Sequence, residues 1–374
     1  MRVPGPEDED VWGGSRGIFK HPDSRAWYDA MVERGWTAPT WPVEYGGAGL
    51  GTAEARVLDE ELKAMGCRIP LKSLGIWLLG PALLEFGSDE QKARFLPGIA
   101  RGETRWCQGY SEPGAGSDLA GLSTKCVRDG DHYVVDGQKV WTSHADKADW
   151  CFCLVRTDPD APKRNGISFL LFDMTTPGVS VRPIELISGA SPFCETFLED
   201  VRVPVANLIG EENRGWTVAK TVLVHERTLI SKLRDRAPEQ TESLEDLARR
   251  HVGADDDGRI TDAILRDRIT QANMDFECNR LLLRRIQDVR EAGGTPGAEA
   301  LTLKLYGTEL AQRIKALKVE LLGHDGLGWE PQGFSEGHVK LTREWLRSRA
   351  NTIEGGSSEI QRNILAKRGL GLPD

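Results

Sequence analysis

One glutamate stands inside an otherwise apolar helical pattern. Across Trp216 to Leu233 the apolar stripe runs Ala219, Val222, Leu223 and then Leu229, Ile230 and Leu233. Steps of three and four place Glu226 on that same stripe. Desolvation on the inward face of a helix raises the pKa of a carboxylate and suits it to proton abstraction near neutral pH. A structural ion pair with a buried arginine is the competing reading, since Arg227 is adjacent. A second group of residues is Gln108-Gly-Tyr-Ser-Glu-Pro-Gly-Ala-Gly-Ser-Asp118. There Gly114, Ala115 and Gly116 let backbone approach a ligand, Ser111 and Ser117 add hydroxyls, and amides in such turns form anion-binding concavities. A tight inter-domain loop would look the same. A third, Lys139-Val-Trp-Thr-Ser-His144, ends a β-run with an aromatic face beside hydroxyls, which suits a flat heteroaromatic ring such as a flavin. Trp141 as a core residue is the alternative, and His144 is a further candidate base. Near the end, Asn351 to Asn363 places Gly355-Gly356 before a helix start with Ser357 and Ser358 as caps and Glu359 in the first turn. Amides exposed there could polarise a carbonyl or hold a phosphate, or the segment is a plain capped helix.

The elements that must position these residues fall into three textures. Up to about residue 105 the pattern is helical, with three- and four-residue steps in Glu54 to Met65 and Leu71 to Phe86. From about 106 to 205 it is strand-like. Asp129-Gly130 and Asp136-Gly137 read as hairpin dipeptides around His132 to Val135, and β-rich runs follow at Cys151 to Val155, Ile167 to Phe172, Val179 to Val181 and Phe193 to Val203. From about 211 onward helices return, at Trp216 to Leu233, Ile260 to Arg290 and Ala298 to Leu322. The charged stretch Arg234 to Asp262 reads as a solvated helix plus a turn, because Asp255-Asp256-Asp257-Gly258 lacks the ligand frame of a calcium loop. The glycines of Glu44 to Gly51 do not follow a strand and read as a loop, not a dinucleotide fingerprint. The expected organisation is α+β with segments 1–105, 106–210 and 211–374.

Composition narrows the partners. The 374 residues carry a net charge of -9, which disfavours a long polyanion, so no nucleic-acid role is expected. Smaller anions stay open to local donors. Pro81 interrupts the most apolar stretch, Leu74 to Phe86, and no membrane association is expected. No basic, apolar leader pattern opens the chain. The seven cysteines are odd in number and scattered, with no zinc spacing. A reducing, cytoplasmic setting without a bound metal is the expectation.

Taken together, the motifs resemble the acyl-CoA dehydrogenase family over nearly the whole chain. The resemblance rests on SEPGAGSDLAG from Ser111, QKVWTS from Gln138, the Leu208 to Gly215 approach to the Glu226 helix and IEGGSSEIQRN from Ile353. GWTAPTWPVEYGGAGL and GSDEQKARFLPGIARGE fit as well. It implies an amino-terminal helical domain, a middle β-barrel-like domain and a carboxy-terminal four-helix bundle, with FAD as cofactor. By this resemblance Gln108, Ser111, Gly116, Ser117, Trp141, Thr142 and Ser143 lie along the flavin. Glu320 to His324, Gly323 included, join Ser357 and Glu359 at FAD, while Ser117, Arg227 and Gly356 contact acyl-CoA. Glu226 matches the members that carry the base on the bundle helix, with Gly355 in the tail position where others carry it; Glu354 is a weaker alternative. The implied reaction is α,β-dehydrogenation of an acyl-CoA thioester to the trans-2-enoyl-CoA. Glu226 takes the α-proton, the β-hydrogen leaves as hydride, and the Gly355 amide with a ribityl hydroxyl polarises the carbonyl. Electrons pass on to an electron-transfer flavoprotein.

Two departures stand out. The Arg-x-Phe-Gly type segment that grips a neighbour's FAD is absent, and Glu320 replaces a frequent Gln before Leu322-Gly323-His324. Such departures are similar to those of a bacterial branch that includes steroid side-chain dehydrogenases, some of them heterotetramers. The expected assembly is a homotetramer or homodimer, with a heterotetramer as the alternative. An FAD-binding companion subunit and an acyl-CoA oxidase of the same fold are the competing functions.

Overall fold

The structure, a computed structural model, describes residues 9–235 and 242–373, without the side chains of 227–235, 290 and 291. Two compact units form, Met1–Ile184 with Ser191–Ala237 and Glu185–Ala190 with Pro238–Asp374.

The first unit opens with helices. Pro22 starts α1 (Pro22–Glu33), where a missing N–H costs nothing. α2 (Thr52–Ala64) follows, then a π-helical turn at Gly75–Leu79 that leads into α3 (Gly80–Phe86). α4 (Asp89–Ala100) is fixed by a reciprocal cap: Ser88 Oγ accepts from Gln91 N at 3.2 Å, and Gln91 Oε1 accepts from Ser88 N at 3.0 Å.

A curled, mixed sheet comes next: β1 (Trp106–Gly109), β2 (Lys125–Asp129), β3 (His132–Ser143), β4 (Trp150–Arg156), β5 (Ile167–Asp173), β6 (Val179–Ile184) and β7 (Phe193–Pro204). The order is β1-β4-β2-β3-β7-β6, with β5 paired to β4. β4 and β5 are nearly unbroken apolar runs because both of their faces are covered. Phe152, Leu154, Phe169 and Leu171 face one core; Cys151, Cys153, Val155, Leu170 and Phe172 face another.

Asp129-Gly130 turns the β2–β3 hairpin, with Gly130 at φ 64°. Asp136-Gly137 does not form the expected second turn. It sits inside β3, where the register against β7 shifts between Val135 and Gly137. The reason is close packing: a Cβ on Gly137 would lie 2.7 Å from Thr124 Oγ1. A second shift, between Lys139 and Thr142, bears directly on the site below. α5 (Gly215–Asp235) closes this unit, burying Val218, Ala219 and Val222 in the core shared with β4 and β5.

The second unit is helical. α6 (Leu244–His251) is capped by Ser243, whose Oγ accepts from Asp246 N at 3.0 Å. α7 (Ala263–Glu291) and α8 (Thr302–Leu321) pack with it through Leu247, Ile269 and Leu317. α9 (Glu336–Ser348) and α10 (Ser358–Ile364) follow. The Asp255–Gly258 run is a turn, closed by Gly258 N donating to Asp255 O at 2.9 Å. Residues 236–241 of the charged stretch lie outside the described residues. No helix among the described residues is long and apolar enough to cross a membrane. The architecture is α+β, with helices, then strands, then helices in chain order.

Candidate active site

In the first unit, two of the motifs are bound into one structure by an ion pair that neither motif advertised. Lys139 Nζ donates to Glu112 Oε1 at 2.7 Å, with the two side chains only 1% and 5% exposed. It also donates to the carbonyl of Tyr110 at 3.3 Å. Glu112 accepts four more bonds, from the amides and hydroxyls of Ser123 and Thr124, at 2.6 to 2.9 Å. Burial pushes the Glu112 carboxyl up, but Lys139 and these donors outweigh it and hold it at about 2. Val140 N donates to Ser111 O at 2.9 Å, so the loop after β1 is stitched along the end of β3. In the sequence the pair shows only as a Glu in one candidate ligand motif and a Lys in another, 27 residues apart.

The register shift after Lys139 sets the next three residues. Trp141 adopts φ 60°, a conformation that costs a bulky residue on the order of 1–3 kcal/mol and persists only when surroundings impose it. The result is an indole 54% exposed, edge-on to Phe193 with centroids 6.1 Å apart. Trp141 is therefore not a core residue. Thr142 is fully buried and its hydroxyl has no hydrogen-bond partner among the described residues. Ser143 is half-buried opposite Phe193. Gln108 is half-buried on β1, Ser111 is half-buried, and Gly116 and Ser117 are exposed. A Cβ built on Gly114 or Gly116 would meet nothing within 4 Å. An exposed aromatic face, the half-buried Ser143 hydroxyl and a loop with open space over its glycines suit a flat cofactor.

His144 also adopts a left-handed conformation, at φ 53°. Its ring packs against Trp12 at 4.9 Å. Burial, reinforced by the Arg105 charge, lowers its pKa to about 4, so it stays neutral at working pH.

Glu226 sits on α5 one turn beyond Val222, on the face that carries the buried Val218, Ala219 and Val222. The carboxylate itself is half-buried at the end of that apolar stripe. Tyr110, missed as a site residue, belongs to the same core. Burial, and after it the Glu226 charge, pushes its phenol well above the ordinary range. Arg227 follows on the helix, with its side chain outside the described residues.

The remaining candidates lie in the second unit. Gly355 and Gly356 have φ 64° and 96°, values that favour glycine. Gly356 O accepts from Lys304 Nζ at 2.5 Å. Ser357 Oγ caps α10, accepting from Ile360 N at 3.3 Å. Glu359 is exposed, and its carboxyl is lowered by its own amide and by Ser357. Glu354 accepts from Arg347 at 2.8 Å. Glu320 is gripped by both guanidinium nitrogens of Arg268, at 2.7 Å for the second contact, and Gly323 opens the turn that follows α8.

Comparison with known proteins defines the class. The family model "Acyl-CoA dehydrogenase, N-terminal domain" matches residues 10–103, the middle-domain model 107–201 and the C-terminal-domain model 213–370. The chain belongs to the acyl-CoA dehydrogenase family and is an oxidoreductase of that class. It is 38% identical to acyl-CoA dehydrogenase IpdE1 of Mycobacterium tuberculosis, over 94% of this chain and 88% of that protein. It is 39% identical to acyl-CoA dehydrogenase FadE34 of the same organism, over 92% of this chain, and there it spans only 46% of the relative's length. The solved steroid ACAD Tcur3481-Tcur3483 superposes with a TM-score of 0.78 at 34% identity, covering 94% and 90% of the two chains.

Proposed function

We propose that the chain binds FAD and catalyses α,β-dehydrogenation of an acyl-CoA thioester, with Glu226 as the base. The observation that carries this reading is the position of Glu226: a half-buried carboxylate at the end of the apolar stripe of α5, within electrostatic reach of the buried Tyr110 phenol. FAD, when bound, supplies the hydride acceptor. The chain's own residues do the rest. Glu226 takes the α-proton of the acyl chain as the β-hydrogen departs. Trp141 offers its face to the ring and Ser143 a hydroxyl to its polar edge, with Thr142 buried behind them. The loop from Gln108 to Ser117 brings amides and hydroxyls, with Ser111 and Gly116, to the cofactor. By the family resemblance, the Gly355 amide is assigned to the thioester oxygen, where a fixed donor is worth several kcal/mol. Ser117, Arg227 and Gly356 are assigned to the CoA portion; Glu320, Gly323, Ser357 and Glu359 are assigned to the dinucleotide.

The likeness to a steroid ACAD supports a sterol-derived acyl chain as the first substrate class to try, with fatty acyl chains as the comparison. We assign the electrons to an electron-transfer flavoprotein, the protein to the cytoplasm and its assembly to a homotetramer or homodimer. The working division into segments 1–105, 106–210 and 211–374 follows the three textures of the chain. One observation favours a second reading: the Arg268 grip on Glu320 engages a carboxylate at a position assigned to FAD. On that reading the chain is a companion subunit of a mixed oligomer.

Anaerobic addition of a panel of acyl-CoAs, short to sterol-derived, to the purified chain separates the two. A yellow protein bleached by one class supports the enzyme. A colourless or inert chain that turns active only with a partner supports the companion subunit, and rapid peroxide formation in air marks an oxidase.

A further inference from the structure

Tyr110 has a buried hydroxyl that the fold does not use. The residue is 5% exposed, and among the described residues its hydroxyl has no hydrogen-bond partner. Leaving such a group unpaired costs about 1–3 kcal/mol, so its retention calls for an explanation. Phe152 and Phe169 hold the ring edge-on, with centroids at 6.0 and 6.3 Å. Lys139 Nζ holds the backbone carbonyl at 3.3 Å. The ring is thus fixed by two aromatic neighbours and its main chain by Lys139.

Its neighbours narrow the target. Tyr110 shares a core with Val218, Ala219 and Val222 of α5, and Leu223 packs against that core. Glu226 lies four residues beyond Val222 and three beyond Leu223, on the same helical face. The ionisable groups that act on the phenol are Glu226 from α5 and the thiols of Cys153 and Cys151 from β4. Burial pushes both thiols well above their ordinary range, so they stay protonated and are poor acceptors. Glu226 is the one carboxyl group of the three.

Building on the assignment of Glu226 as base, we propose that Tyr110 is a positioning residue for it. The Tyr110 hydroxyl donates a hydrogen bond to one water that in turn donates to the Glu226 carboxylate, and so holds that carboxylate toward the α-carbon of the substrate. A phenol kept protonated by its surroundings keeps its O–H available as a donor across the working pH range.

The test is Tyr110→Phe, which removes one oxygen and keeps the ring, read by anaerobic flavin reduction as a function of pH. A donor to a carboxylate stabilises its charged form. Its loss therefore moves the acidic limb of the reduction rate upward by about one pH unit and slows reduction roughly tenfold, with KM little changed. Replacement of Tyr110 by 3-fluorotyrosine, a stronger donor, moves the limb the other way and guards against a misfolded Phe variant. An acidic limb unmoved in both variants overturns the proposal. Glu226→Gln separates the two levels of inference. If it abolishes reduction while both Tyr110 variants leave the limb in place, only the role of Tyr110 fails. If it reduces flavin normally, the base assignment fails and this inference with it.

Discussion

The turn beside β3 and the turn before α10 differ in what holds their backbones, a buried ion pair in the first and left-handed glycines in the second. Residues 108–118 and 139–144 are held by side chains: a buried Lys139–Glu112 pair, four further donors to Glu112, and a backbone bond from Val140 to Ser111. Residues 355–357 rest on backbone conformation, two left-handed glycines, with one side-chain bond on either side of the pair: Lys304 to the Gly356 carbonyl and the Ser357 cap on Ile360 N. The first device leaves the loop glycines in open space, free to face a ligand, while the rigidity comes from below. The second puts the strain on the glycines themselves. A substitution should therefore act through charge in one turn and through φ in the other.

The largest effect is expected from splitting the buried pair. Lys139→Met strands the Glu112 charge in the core and should cost about 3–5 kcal/mol in urea unfolding. The double variant with Glu112→Gln should lose less than the sum of the two single changes. The same pair gives the first unit an acid limit. Glu112 titrates at about 2 when folded, against an ordinary 4.5. Its contribution is complete above pH 4.5 and is lost as the pH falls through 2, with roughly 3 kcal/mol at stake. Glu112→Gln should flatten that part of the stability–pH curve; an unchanged slope would mean that the pair does not hold the turn.

A smaller effect is expected at the glycines, with opposite outcomes in the two turns. Gly356 sits at φ 96°, and an added Cβ would fall 2.6 Å from Gln361 Nε2. Gly356→Ala should cost about 1–2 kcal/mol. Gly116→Ala meets nothing within 4 Å and should leave stability within about 0.5 kcal/mol, while lowering the flavin retained on gel filtration. Equal losses of stability in the two variants would erase the distinction between the turns.

How much of this could be read beforehand follows from the kind of signal involved. Strand runs and long helices were legible because β4, β5 and α5 advertise their faces through apolar spacing, and Glu226 was legible because it interrupts such a stripe. The mid-strand bulge at Gly137 was not, since an Asp-Gly pair reads as a turn unless the packing of Thr124 is known. Nor was the exposure of Trp141, which depends on a register shift two residues earlier. Lys139, Glu112 and Tyr110 escaped for a common reason. Each is defined by a partner distant in sequence, and pairing of that kind leaves no periodic trace along the chain.

The central claim is that Glu226 removes the substrate proton. It is tested most directly by Glu226→Gln, purified with its flavin and mixed anaerobically with the acyl-CoA that bleaches the unaltered protein. The amide keeps the shape of the side chain and removes its basicity. The expected result is a yellow protein that still binds the thioester, seen as a shift of the flavin band, but whose colour does not bleach. Bleaching at a rate close to that of the unaltered protein would contradict it.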